Sequence, residues 1–273
     1  MIRLAVRVRR AEAELVLAEL LELAPGGVEE VDRGEVVEYA VYGPPGELPA
    51  LPDLRAAAGE SLVEVSTTEI ADDWNERWRS FHTPLVLPGT ITVRPPWEPP
   101  GSTPIDLVID PGQAFGTGAH ATTRLCLELM LELVPGGPFI DLGCGSGVLA
   151  LAAAKLGWDP VIAIDNDPAG VEATVANAAV NGVTLDVRRL DLRTDPLPAA
   201  PTVAANLLGP LLRLWAQRMQ AEEAMGTPQR VIASGLLVSE ADRIAQAFVR
   251  SGLKKTMTRA DGEWAALVLE RST

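Results

Sequence analysis

Residues 2–9, IRLAVRVR, alternate apolar and basic positions as a half-buried strand does. Residues 11–23 then set Leu15, Leu17, Ala18 and Leu21 on one broadly helical face, and Pro25-Gly26-Gly27 ends the run. Residues 28–32 and 35–42 read as a strand pair about Arg33-Gly34, residues 48–58 as a second helix and residues 61–67 as a fourth strand. The order β-α-β-β-α-β over residues 1–68 predicts a small ferredoxin-like α+β domain, in which Pro49 and Pro52 disturb only the second helix. Between residues 69 and 100 the pattern breaks. Trp74, Trp78, Phe81 and Trp97 stand among prolines, too apolar for a free linker and too proline-rich for a long helix. This reads as a packed connector with one short helix at 72–80, where Trp74 and Trp78 share a face and, like His82, serve packing.

From Ile105 onward strands and helices take turns. Strands are predicted at 139–142, 160–165, 185–190, 203–206, 230–234 and 264–270, with helices at 125–133, 148–156, 168–181, 208–224 and 239–251. Residues 101–273 are therefore expected to form a doubly wound α/β sheet, whose ligands bind at the carboxyl ends of the strands.

Composition narrows the classes. The 273 residues are 47% apolar, enough for ordinary cores, and no run of eighteen apolar residues suggests a membrane span. The N-terminus alternates instead of forming the apolar stretch of a secretory signal, so a cytoplasmic globular protein is expected. Cys126 and Cys144 are the only cysteines, and their apolar or glycine-rich surroundings suit neither a disulfide framework nor a metal site. A net charge of −14 with three lysines disfavours a grip on the nucleic-acid backbone. A basic partner fits that charge better, although acidity that serves only solubility fits it too.

The candidate chemistry sits in two glycine-dense loops, DPGQAFGTGAHATT at residues 110–123 and DLGCGSG at residues 141–147. The second spaces Gly143, Gly145 and Gly147 as G-x-G-x-G; the dinucleotide fingerprint needs glycine at Val148, which counts against a nicotinamide enzyme. Asp165 ends the following strand, where a carboxylate can accept both hydroxyls of a ribose. Asp141 suits S-adenosylmethionine, which lacks a pyrophosphate but has an ammonium to be held. Asp191 stands where adenine is expected, or caps a turn at 191–195. Thr122 and Thr123 open the helix after the Phe115-Gly116-Thr117-Gly118 loop, positioned for a carboxylate or for simple capping. His120 is either a proton acceptor or a loop-ordering group.

These motifs make the chain resemble the bacterial methyltransferases of large-subunit ribosomal protein eleven, class I enzymes that methylate lysine and α-amines. The resemblance rests on AFGTGAHATT (114–123), DLGCGSGVLALAAAKLG (141–157), AIDNDP (163–168), AANLL (204–208) and DDWNERWRSFHTPL (72–85). It implies a Rossmann-like methyltransferase domain, S-adenosylmethionine as cofactor, and cofactor contacts at Thr123, Gly143, Asp165 and Asn206, with Phe115, Gly116, Thr117, Gly145 and Asp191 nearby. It also implies that residues 1–68, with six basic and thirteen acidic side chains, recognise the basic ribosomal protein. Asn206 is the catalytic candidate: it resembles the Asn or Asp of amino-methyltransferases but lacks their Pro-Pro-aromatic continuation, which sets base and glutamine amino groups aside as substrates. Methylation of another protein's lysine, and cofactor binding without turnover, are the competing readings.

Overall fold

The computed structural model describes residues 2–13, 16, 17, 20, 28–43, 48, 49, 51–69, 83–110, 121–221 and 227–271. The short helix expected at 72–80 with Trp74, Trp78, Phe81 and His82, and the loop carrying Phe115, Gly116, Thr117 and His120, lie outside the described residues. The chain divides into two compact units, Met1–Phe81 and His82–Thr273.

In the first unit, strands β1 (Ile2–Arg9), β2 (Glu29–Asp32), β3 (Val36–Gly43) and β4 (Leu62–Glu69) form an antiparallel sheet in the order β2-β3-β1-β4. Leu4, Val6 and Val8 alternate onto one face and pack with Val37 and Tyr39 against Val16, Leu20 and Leu54. Leu54 belongs to helix α1 (Leu51–Ala58). Pro52 lies in that helix's first turn, where its missing N–H costs no helical bond.

The opposite face is polar. Glu38 has no exposed side-chain surface and accepts hydrogen bonds from Arg3 (2.8 Å), Arg7 (2.6 Å) and Arg33 (3.0 Å). These guanidinium groups, Arg33 foremost, hold its carboxyl down near 2 from an ordinary 4.5 against the opposing effect of burial. A lowered folded-state value stabilises the ionised form, so this contribution is present above about 4.5 and lost as pH falls through 2. Glu38→Ala strands three cations and should cost roughly 1–3 kcal/mol, less than for a fully buried pair because the arginines reach water. Amide hydrogen exchange confined to β1 and β3 measures it; unchanged protection there refutes the expectation.

The second unit begins with a small sheet of β5 (Leu85–Leu87), β6 (Ile91–Arg94) and β7 (Ile105–Val108). The sequence pattern predicts connector over residues 85–94; instead Leu85, Leu87, Ile91 and Val93 are core residues of this unit, which explains why that stretch is so apolar. Beyond it come α2 (Ala121–Leu131), β8 (Phe139–Leu142), α3 (Val148–Leu156), β9 (Val161–Asp165), α4 (Pro168–Asn181), β10 (Asp186–Arg189), β11 (Thr202–Asn206), α5 (Gly209–Ala221), β12 (Arg230–Leu237), α6 (Ala241–Val249), β13 (Leu253–Asp261) and β14 (Trp264–Arg271).

The main sheet has seven strands in the order β10-β9-β8-β11-β12-β14-β13. All neighbours are parallel except β14, which runs antiparallel to both β12 and β13. Phe139, Val161, Ala204 and Ile232 face α2 and α3, whereas Ile140, Ile162, Val203 and Val231 face α5 and α6. This is the two-sided burial that makes parallel strands read as continuous apolar runs. No described helix is long and apolar enough to cross a membrane.

Candidate functional site

The chain leaves β8 for β9 on one side, and β11 starts on the other. The strand order reverses at β8 and β11, opening a crevice at their carboxyl ends. A cleft of about 410 Å³ occupies it, within the range of small-ligand sites. Asp141 and Gly143 at β8, Asp165 at β9, Asp191 after β10, Asn206 at the end of β11 and Thr123 on α2 all line this cleft, as does Gly145. Thus the described residues expected from sequence to contact the cofactor or act in catalysis all line this cleft.

The glycine loop is shaped by backbone. Gly143 has φ +80°, and its amide and that of Cys144 both donate to the Ile164 carbonyl, at 2.8 and 2.9 Å. A Cβ at Gly143 would fall 2.4 Å from Leu207 Cδ2, so the absent side chain is what lets the loop lie against Leu207. Asp165 braces the loop: its Oδ2 accepts from Gly145 N at 2.8 Å and its Oδ1 from Asp167 N at 3.0 Å.

Asp141 is 1% exposed. Its Oδ2 accepts from Ala150 N at 2.9 Å and so caps the first turn of α3, while Oδ1 is buried without a hydrogen-bond partner among the described residues. Burial, with a further push from the charge of Asp165, raises its carboxyl to about 7, against the opposing pull of the Ala150 amide. An orphaned carboxylate oxygen in a cleft is a place for a cation or a donor. Asp191 takes the turn-capping role that was one of its two readings, accepting from the amide of Arg193 at 2.8 Å and from its Nε at 3.1 Å, and it faces the cleft as well. These bonds, the amide first, hold its carboxyl below the usual range.

At the other end of the cleft, Asn206 Nδ2 donates to Thr123 Oγ1 at 3.4 Å. Leu207, Leu208, Leu211 and Trp264 are among the apolar residues that line the cleft. The sequence reading missed Gly235 and Trp264, which line the same cleft from β12 and β14. Ending the strand at residue 234 hid the first, and the signal available was a glycine within an otherwise apolar strand. Cys126 and Cys144 are buried free thiols. Burial raises both, Cys126 to about 12.

A strand order with a reversed seventh strand departs from the dinucleotide-binding order, and an acidic, glycine-walled crevice suits a nucleoside that carries an ammonium and no pyrophosphate. The class so defined is the class I methyltransferase, with S-adenosylmethionine as cofactor. The family model of ribosomal protein L11 methyltransferases matches residues 51–272, and the chain belongs to that family. It is 40% identical over 210 residues to the ribosomal protein L11 methyltransferase of Geobacter metallireducens, covering 75% of this chain and 68% of that one. The relative in Pelotomaculum thermopropionicum is 33% identical, with 97% of each chain covered. Among solved structures, the ribosomal protein L11 methylase of Lactobacillus delbrueckii subsp. bulgaricus superposes with a TM-score of 0.61 at 28% identity, covering 70% of this chain and 99% of that one.

Proposed function

We propose that this chain methylates amines of ribosomal protein L11, the lysine side chains and the N-terminal amine, using S-adenosylmethionine. The observation that carries the choice of amines is the uncharged Asn206 side chain, bonded to Thr123 in a cleft that Asp141, Asp165 and Asp191 also line. When bound, S-adenosylmethionine would supply a sulfonium-activated methyl group to a neutral amine, with its thioether leaving as the carbon–sulfur bond gives way to the carbon–nitrogen bond. Asp165 would receive the ribose hydroxyls, Asp191 the adenine side, Asp141 the ammonium, and Thr123 the carboxylate, with Gly143 and Gly145 allowing close approach.

With Nδ2 committed to Thr123, Asn206 has Oδ1 to accept from the incoming amine and aim its lone pair. A lysine with a free pKa near 10.4 costs roughly 4–5 kcal/mol to neutralise at pH 7. The apolar wall of Leu207, Leu208, Leu211 and Trp264 offsets this by disfavouring the ammonium form. The first unit would serve recognition: the exposed Glu29, Glu30 and Asp32 of β2 suit a basic protein.

Incubation with methyl-labelled S-adenosylmethionine and unmethylated large-subunit proteins, and then intact and peptide mass spectrometry, tests the reading. Label on lysines or the N-terminal amine of L11 is expected. Label confined to another protein's lysines would keep the chemistry and replace the substrate, and binding without label would leave a cofactor-binding factor.

A further inference from the structure

We propose that the Ser234-Gly235 bulge of β12 is a positioning element that sets Asn206 against Thr123; the inference rests on the role given to Asn206 above. Ser234 is fully buried yet polar in both its parts. Its carbonyl accepts from Leu207 N at 3.0 Å, and its hydroxyl lies 3.2 Å from the carbonyl oxygens of both Thr122 and Ala265. One residue thereby holds the chain just after Asn206 and the chain just before Thr123, the two side chains that meet across the cleft at 3.4 Å.

Gly235 permits the approach. It has φ +81°, and a Cβ built there would fall 2.5 Å from the carbonyl oxygen of Leu207, 2.8 Å from its carbonyl carbon and 3.0 Å from its nitrogen. These are backbone atoms, so no rotamer change relieves the clash, and the segment after Asn206 has to move. The pairing of β12 with β14 shifts register between Ala233 and Leu236, around these two residues. A bulge bends a strand and re-aims its remaining residues, here beside a cleft that Gly235 itself lines. Ordinary packing accounts for a buried serine or for a bulge glycine taken singly. It does not account for a two-residue device that ties the chain just after Asn206 to the residue just before Thr123, alongside Ser234's further bonds to Ala265 and Cys126.

The test is a double-mutant cycle on the full chain, with kcat and KM measured for labelled methyl transfer to unmethylated L11. Gly235→Ala is expected to lower kcat about a hundredfold, the scale of an ångström-sized misplacement, with a smaller change in KM for S-adenosylmethionine. In an Asn206→Ala background the same substitution should cost less than about threefold, because it acts through the residue already removed. A full, additive loss in that background overturns this inference alone. Wild-type turnover in Asn206→Ala by itself overturns the role of Asn206 and this inference with it. Should Gly235→Ala not fold, Ser234→Ala carries the same cycle: about a tenfold loss of kcat, absent in the Asn206→Ala background and partly rescued by Ser234→Thr, supports the assignment. Wild-type kcat in Ser234→Ala overturns it.

Discussion

Replacing Asn206 with alanine is expected to lower kcat for methyl transfer about a hundredfold or more while S-adenosylmethionine still binds, the range found when a single preorganised polar group is removed from an active site. Among the described residues the side chain has one bond to hold it, from Nδ2 to Thr123, which leaves Oδ1 as an acceptor to offer an amine. Asn206→Asp should behave differently. A carboxylate beside the amine would pin the ammonium form, so turnover at pH 7 should fall and recover as pH rises above about 9, nearer the free lysine value. A pH–rate profile for the two variants decides the matter: matched profiles, with no alkaline recovery in the aspartate variant, would show that the position does not sense the amine's charge.

The second large effect belongs to Asp141. Its carboxyl titrates near 7 in the folded chain against an ordinary 3.8, chiefly because it is buried. A value raised on folding means that the unliganded protein has this group's full stability below about 4 and loses it as pH climbs to 7. The loss is of the order of 2–4 kcal/mol. A cation delivered to Oδ1, which has no hydrogen-bond partner among the described residues, favours the carboxylate, so binding of S-adenosylmethionine near pH 6 should release close to one proton. Calorimetry in two buffers of different ionisation enthalpy reads that proton directly. Asp141→Asn keeps an acceptor for Ala150, and should raise the thermal midpoint of the unliganded protein at pH 8, abolish the proton release and weaken cofactor binding at least tenfold. Equal proton release in the variant would sink the assignment of the ammonium to Asp141.

Features with a local cause were legible in the sequence. Helices Val148–Leu156 and Pro168–Asn181 were bounded correctly because glycines come directly after both, at Gly157 and Gly182, and Asp167-Pro168 opens the second. The convergence of Asp141, Gly143, Asp165 and Asn206 was legible because each sits near the carboxyl end of a largely apolar strand, and such ends gather at one edge of the sheet. Strand β13 was missed: an edge strand with Lys254, Lys255 and Arg259 largely in water shows no alternation to read. Strands β5 and β6 were missed because short strands between prolines and a tight turn at Gly89 look like connector until their apolar residues find α2 and α3. The Ser234-Gly235 bulge depends on Leu207 and Ala265, which only the fold brings to it.

The insertion of β14 between β12 and β13 bears on how the molecule is made. Residues 264–271 emerge from the ribosome after both of their partners, so a nascent chain ending at residue 260 has β12 as an unpaired edge and β13 with nothing to pair against. The hydroxyl of Ser234 has not yet met Ala265, and the cleft lacks Trp264. Such a chain has most of its cofactor loop but no finished catalytic end. Competence to methylate should therefore appear abruptly, once residues 264–271 have emerged and joined the sheet, rather than growing with chain length.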